Sequence, residues 1–154
     1  MEIPTYSFDT NIFISRRHYY PPDIFQNFWK QIELVIGHKE VIASEMVLVE
    51  LSEKDDEIFN YAKQMRNIFV TPNRAQQDIV TQIQNQYPDW IKSNAPKNRA
   101  DPFVIALAID AGLTVVTMEK GGSQTAPKIP YVCQEWEVGC IHFFDFLRQN
   151  NIQA

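Results

Sequence analysis

The sequence predicts an α/β domain built on a mainly parallel sheet, and three observations point to it. Short β-branched runs, Val41-Ile42-Ala43 and Leu113-Thr114-Val115-Val116-Thr117, read as buried strands. Between them lie stretches with apolar residues at helical spacing, and alternating strands and helices build parallel sheets. The length of 154 residues fits one domain, residues 1–154, and leaves little room for a second.

Taken in order, the first strand is Thr5 to Phe8, where Tyr6 and Phe8 alternate with Thr5 and Ser7. Asp9 then falls at the strand's carboxyl end, and Thr10 or Asn11 caps a short helical turn through Ile12, Phe13 and Ile14. Residues 15–22, with paired prolines, read as a loop. A helix over 23–36 carries Ile24, Phe28, Ile32 and Val35, with Gly37 as its C-cap. The strand at 41–43 leads to Ser44, which caps a helix over 45–51 carrying Glu50. The helix over 55–68 presents Ile58, Phe59, Ala62 and Met65 on one face. Pro72 breaks the chain before a more polar helix over 74–87, through Ile79 and Ile83. Pro88, Asn94 and Pro96 mark an irregular stretch. A strongly apolar helix follows over 101–111, with Asp101 at its N-cap, Pro102 in its first turn and Gly112 ending it. The strand at 113–117 leaves Glu119 just past its end, and residues 121–130 form a flexible loop. The tail supplies a short helix near 131–136, a strand at 139–142 and a last helix over 143–150.

Apolar residues make up 45% of the chain, enough to bury a core without cross-links. No run approaches the roughly 18 apolar residues of a membrane span. The start, Met1-Glu2-Ile3-Pro4, lacks the basic and apolar segments of a signal peptide, so a soluble, cytoplasmic protein is expected. Cys133 and Cys140 read as packing residues, because their separation is not a tight zinc spacing and no histidine pair lies near. The histidines show no ligand spacing, and Gly121-Gly122 lacks a phosphate-loop pattern. The net charge of −5 argues against a nucleic-acid binder with a basic footprint. Four acidic groups gathered on divalent ions would change that balance, so acidity does not exclude phosphate chemistry.

Four carboxylates stand out. Asp9 and Asp101 each read locally as plain helix caps. Glu50 is out of place in the apolar run Met46-Val47-Leu48-Val49-Glu50-Leu51, since a glutamate is buried only when paired or ligating. Glu45, on the same helix, reads better as a first-turn surface charge. Asp9 and Glu119 follow strand ends, where sites gather in parallel sheets. Close carboxylates repel one another and therefore hold cations well. Mg²⁺ and Mn²⁺ favour such hard oxygen donors and serve phosphodiester cleavage.

The order and spacing of four segments resemble the PIN domain family of nucleases. They are Phe8-Asp9-Thr10-Asn11, Ser44 through Val47-Leu48-Val49-Glu50-Leu51, Arg99-Ala100-Asp101-Pro102-Phe103-Val104-Ile105-Ala106-Leu107-Ala108, and Val115-Val116-Thr117-Met118-Glu119. The chain is similar in particular to a prokaryotic branch of PIN-like proteins, which its tail Lys128-Ile129-Pro130-Tyr131-Val132-Cys133 also resembles. The resemblance covers essentially the whole chain and implies a three-layer α/β/α sandwich. It implies Asp9, Glu50 and Asp101 as acidic ligands of Mg²⁺ or Mn²⁺. Glu119 stands where most members carry an aspartate, so it is implied either as a ligand or as a support. Thr10, Asn11 and Thr117 match polar supporting positions. The implied activity is endoribonucleolytic, as in the toxins of type II toxin–antitoxin pairs. An RNA substrate, a small antitoxin partner and a homodimer come with that implication.

Basic groups near these segments are candidates for gripping phosphate: Arg16, Arg17 and His18 after the first aspartate, Lys97 and Arg99 before Asp101, and Lys120 and Lys128 beside the glycine loop. Lys120, Arg16 and Arg99 lead that set. Tyr19 and Tyr20 suit packing better than base stacking. Two other readings compete. One is a binding module that keeps the fold and acts through a partner protein. The other is a metal-dependent phosphatase, which Asn11 disfavours by standing where an Asp-x-Asp start would need a second aspartate.

Overall fold

The computed structural model describes residues 4–38, 40–93 and 100–154. Among them, five parallel strands form one sheet: β1 (Tyr6–Phe8), β2 (Val41–Ser44), β3 (Phe69–Val70), β4 (Thr114–Thr117) and β5 (Cys140–His142), in the order β3-β2-β1-β4-β5. In this register Tyr6 lies opposite both Val41 and Thr114, and Val116 lies between Phe8 and Ile141. The helices are α1 (Thr10–His18), α2 (Gln26–Gly37), α3 (Glu45–Lys54), α4 (Asp56–Lys63), α5 (Arg74–Gln86), α6 (Pro88–Ser93), α7 (Asp101–Ala111), α8 (Ile129–Glu135) and α9 (Phe143–Gln149). Helices cover both faces of the sheet, giving the expected three-layer α/β/α sandwich.

The two-residue repeat of β1 sorts these layers. Tyr6 and Phe8 point to one face, where their rings meet Phe146 of α9 edge-on at 4.9 and 5.0 Å between centroids. Ser7 points to the other face and donates to the Val104 carbonyl of α7 at 3.0 Å. A small side chain there lets α7 lie close to the sheet. Val104, Ile105, Ala106, Leu107 and Ala108 are all buried, because α7 is sandwiched between the sheet and α5. Gly112 ends α7 at φ +70, a left-handed cap as expected. Ser44 caps α3 by accepting from the Met46 N–H at 3.2 Å, also as expected.

Several local expectations are corrected. Residues 15–18 continue α1, because Pro21 and Pro22 lie beyond the helix and the face bearing Ile12, Phe13 and Ser15 is buried. The α2 helix begins at Gln26, since Ile24 and Phe25 first form a turn onto the Pro21 carbonyl. Gly37 remains inside α2 and His38 takes the cap. The helix carrying Glu50 runs one turn further, to Lys54. The helix expected over 55–68 stops at Lys63, and a 3-10 turn, Arg66–Ile68, leads into β3. That strand was not expected: two residues carry no periodicity, and only pairing with Ala43 and Ser44 defines it. Pro88 opens α6 where irregular chain was expected, in the first turn where proline is tolerated.

Candidate active site

Strand order creates the site. From β1 the chain steps outward through β2 to β3, then returns to the other side of β1 as β4. The crevice at the carboxyl ends of β1 and β4 is thus the switch point where such sheets bind ligands. A cleft of about 370 Å³ opens there, lined by Asp9, Thr10, Asn11, Ile14, Glu50, Lys54, Asp101 and Glu119. All four carboxylates singled out in the sequence therefore share one cleft. Asp9, Glu50 and Asp101 are buried, and Glu119 is half-buried.

Each carboxylate is held by a different element. Asp9 leaves β1 and caps α1; its Oδ1 accepts from the Thr10 N–H at 2.7 Å and its Oδ2 from the Thr117 hydroxyl at 2.7 Å. Thr117 Oγ1 in turn accepts from the Glu119 N–H at 3.0 Å, so one hydroxyl ties the ends of β1 and β4 together. Asn11 Oδ1 accepts from the Met118 N–H at 3.2 Å and fixes the same junction. Glu119 Oε2 accepts from the Ile129 N–H at 3.1 Å, where an acidic group suits the N-terminus of α8.

Asp101 is not the N-cap expected for α7. Ala100 takes that position and Asp101 is the first helical residue. The backbone N–H of Ala100 donates to Glu50 Oε2 at 2.9 Å. Glu50 thus does from α3 what the glutamate of a capping box does within one helix. Asp101 is left to face the cleft. The other oxygen of Glu50, Oε1, accepts from Lys54 Nζ at 2.9 Å. Lys54 is a site residue that the sequence reading missed. Its signal was there: glutamate four residues before lysine on one helix is a favourable pair.

Negative charge is crowded in this cleft. Burial first, then the nearby Glu119 carboxylate, pushes Asp9 from its ordinary 3.8 up to about 7, against the pull of its bonds to Thr117 and Thr10. Burial, followed by Asp9, Glu119 and Glu50, holds Asp101 well above the usual carboxylate range, while Lys54 pulls it back. Burial also raises Glu119, opposed by the Ile129 N–H and by Lys128. The donor chemistry fits a hard divalent cation, and Thr10 Oγ1 is buried in the lining with no hydrogen-bond partner among the described residues. No group of three or more His, Cys, Asp or Glu side chains among the described residues forms a ready metal cage. Lys54, the Ala100 N–H and the Ile129 N–H hold Glu50 and Glu119 instead.

Other predicted positions lie elsewhere. The Arg16 guanidinium stacks 3.7 Å over the Tyr61 ring and lines a separate cavity with Trp29 and Glu33. Arg17 Nη1 lies 2.8 Å from both oxygens of Asp55, and His18 lies 3.9 Å from the same carboxylate, so this basic group turns toward α4. Lys120 is exposed beside Glu119, outside the cleft lining. Arg99, with Lys97, lies outside the described residues. Tyr20 packs on Phe25 and Phe28, while Tyr19 is exposed. Cys133 is buried and Cys140 half-buried, both as free thiols. Among the described residues no helix is long and apolar enough to cross a membrane.

Residues 6–154 match a sequence family described as "Domain of unknown function (DUF4411)". No curated protein matches the chain.

Proposed function

We propose that this chain, a member of the DUF4411 family, is a metal-dependent endoribonuclease. One observation carries the reading. Four carboxylates from four distant parts of the sequence line a single cleft at the switch point of a parallel sheet, where burial first and neighbouring carboxylates second oppose the ionisation of Asp9 and Asp101. Such a cleft stores an electrostatic cost that a divalent cation relieves. Asp9, Asp101 and Glu50 would hold the ion, with Glu119 completing the acidic set. Mg²⁺ or Mn²⁺ held there would supply the positive charge that polarises a phosphodiester and the Lewis acidity that lowers the pKa of water.

The chain's own groups set the geometry. Thr117 aims one oxygen of Asp9, and the Thr10 N–H aims the other. The Ala100 N–H keeps Glu50 from turning out of the cleft. The Thr10 hydroxyl is buried beside these groups with no hydrogen-bond partner among the described residues. The resemblance to PIN nucleases supports RNA as substrate, and extends the proposal to a toxin restrained by a small antitoxin, to a homodimer and to a cytoplasmic setting.

The test is cleavage of single-stranded RNA by chelator-treated protein with Mg²⁺ or Mn²⁺ restored. Wild type should cleave and Asp9→Asn should not; equal rates for both remove the catalytic claim. A second reading, a binding module acting through a protein partner, is favoured by the engagement of Glu50 with Lys54. Under that reading no divalent ion raises the melting temperature.

A further inference from the structure

We infer that Lys54 is the phosphate-binding residue of the cleft, and that Lys54 and the metal ion exchange places at Glu50. The inference rests on the nuclease reading and gives it a residue that grips the substrate. Among the described residues lining the cleft, Lys54 is the one cation.

The geometry of Glu50 makes the exchange specific to one atom. Its Oε2 is committed to the Ala100 N–H, a backbone contact that fixes the entry of α7. Its Oε1 faces Lys54 Nζ. A cation that ligates Glu50 through Oε1, leaving the α7 contact alone, competes with the ammonium for that oxygen. An ordinary glutamate–lysine pair one helical turn apart has both ends in water and contributes little. Here the glutamate side chain is 2% exposed and the lysine 33%. The buried end belongs to a cleft with three further carboxylates, so the ammonium acts as its resident counter-charge.

Lys54 can also leave. It stands in the last turn of α3, where a cation is favoured, and its side chain is only partly buried. Its four-carbon stem is flexible and its ammonium carries three rotatable donors. A phosphodiester entering the cleft brings anionic non-bridging oxygens, the best partners left once Glu50 is taken. The two roles pull in opposite directions. Lys54 competes with the metal ion for Glu50, yet it assists the polyanion that the metal ion acts upon.

That opposition supplies the test. Full-length Lys54→Met and Lys54→Arg are stripped with chelator, titrated with Mn²⁺ by calorimetry, and assayed on a single-stranded RNA oligonucleotide at saturating Mn²⁺. Lys54→Met should bind Mn²⁺ about three- to tenfold tighter, because the competing charge is gone. It should cleave with kcat/KM lowered at least about tenfold, and Lys54→Arg should keep most of the cleavage. A merely structural salt bridge predicts weaker Mn²⁺ binding and slower cleavage together, with no opposition. Unchanged or weaker Mn²⁺ binding by Lys54→Met overturns the exchange, and wild-type cleavage by that variant overturns the phosphate contact. A wild type that binds Mn²⁺ but leaves RNA intact removes the nuclease reading and the phosphate contact with it. The calorimetry then still decides the exchange at Glu50.

Discussion

The Thr117 hydroxyl donates to Asp9 Oδ2 at 2.7 Å across a sequence separation of 108 residues, joining the ends of two adjacent strands. The same oxygen accepts from the Glu119 N–H, so one buried side chain positions parts of two carboxylate segments. Thr117→Val keeps the volume and removes both bonds. The metal-free protein should lose about 1–2 kcal/mol of stability, since a buried carboxylate loses a donor. Mn²⁺ binding should weaken, because the ionised form of Asp9 loses support. Thr117→Ser should restore both in thermal melts and calorimetry; failure of that rescue would show that the methyl, not the hydroxyl, matters.

Asp9 gives the metal-free protein a distinctive pH dependence. Folding raises its pKa from 3.8 to about 7, so between those values the folded state binds more protons than the unfolded one. Its contribution is then fully present below about pH 4 and is lost as pH rises through about 7. Asp9→Asn keeps the shape without the charge. In chelator its stability relative to wild type should rise with pH, to a gain on the order of 1–3 kcal/mol at pH 8. Urea unfolding at pH 5 and pH 8 measures this, and a pH-independent difference would refute it. Mn²⁺ should raise the melting temperature of the wild type and leave that of the same variant unchanged.

Asp55 titrates in the opposite sense. It caps α4 by accepting from the Ile58 N–H at 3.1 Å, and both its oxygens accept from Arg17 Nη1 at 2.8 Å. Although its burial opposes ionisation, these partners hold its carboxyl below the usual value. Its contribution is present above pH 4 and fades as pH falls through its lowered pKa. Asp55→Ala should cost about 1 kcal/mol at neutral pH, mostly from the lost cap, and less at pH 3. Denaturant midpoints at the two pH values provide the comparison.

The glycines after Glu119 are not equivalent. Gly121 has φ +76 with open space around its Cα, whereas Gly122 has φ +108 and a Cβ there would lie 2.8 Å from Lys128 N and from Tyr131 Cβ. Gly121→Ala should cost about 1 kcal/mol, the strain of a left-handed backbone alone. Gly122→Ala adds a clash with the Lys128 backbone, and should displace the start of α8, where Glu119 is anchored. Its melting temperature should fall further than that of Gly121→Ala; equal losses would mean that the loop absorbs the methyl group.

Local chemistry was largely legible in the sequence. The bounds of α7, the left-handed stop at Gly112, the Ser44 cap and the burial of Glu50 all follow from residues close in sequence. Periodicity and capping act within a turn or two, so a single chain displays them. What extended beyond that range was misjudged. The continuation of α1 depends on packing across α1, α4 and the sheet. The strand β3 exists only through its partner β2.

The four carboxylates divide along the same line. The sequence by itself marked Glu50 as out of place and put Asp9 and Glu119 at or just past strand ends, while Asp9 and Asp101 read locally as plain caps and joined the set through the resemblance. It did not determine that Asp101 is freed from capping, because the Ala100 N–H is satisfied by Glu50 from another helix. It did not rank Lys54 or displace Arg16, since the side-chain partners Glu50 and Tyr61 lie on separate elements or on a turn the sequence ended too early. Crowding of charge is a property of distances between elements, and only the strand order β3-β2-β1-β4-β5 brings residues 9, 50, 101 and 119 to one cleft.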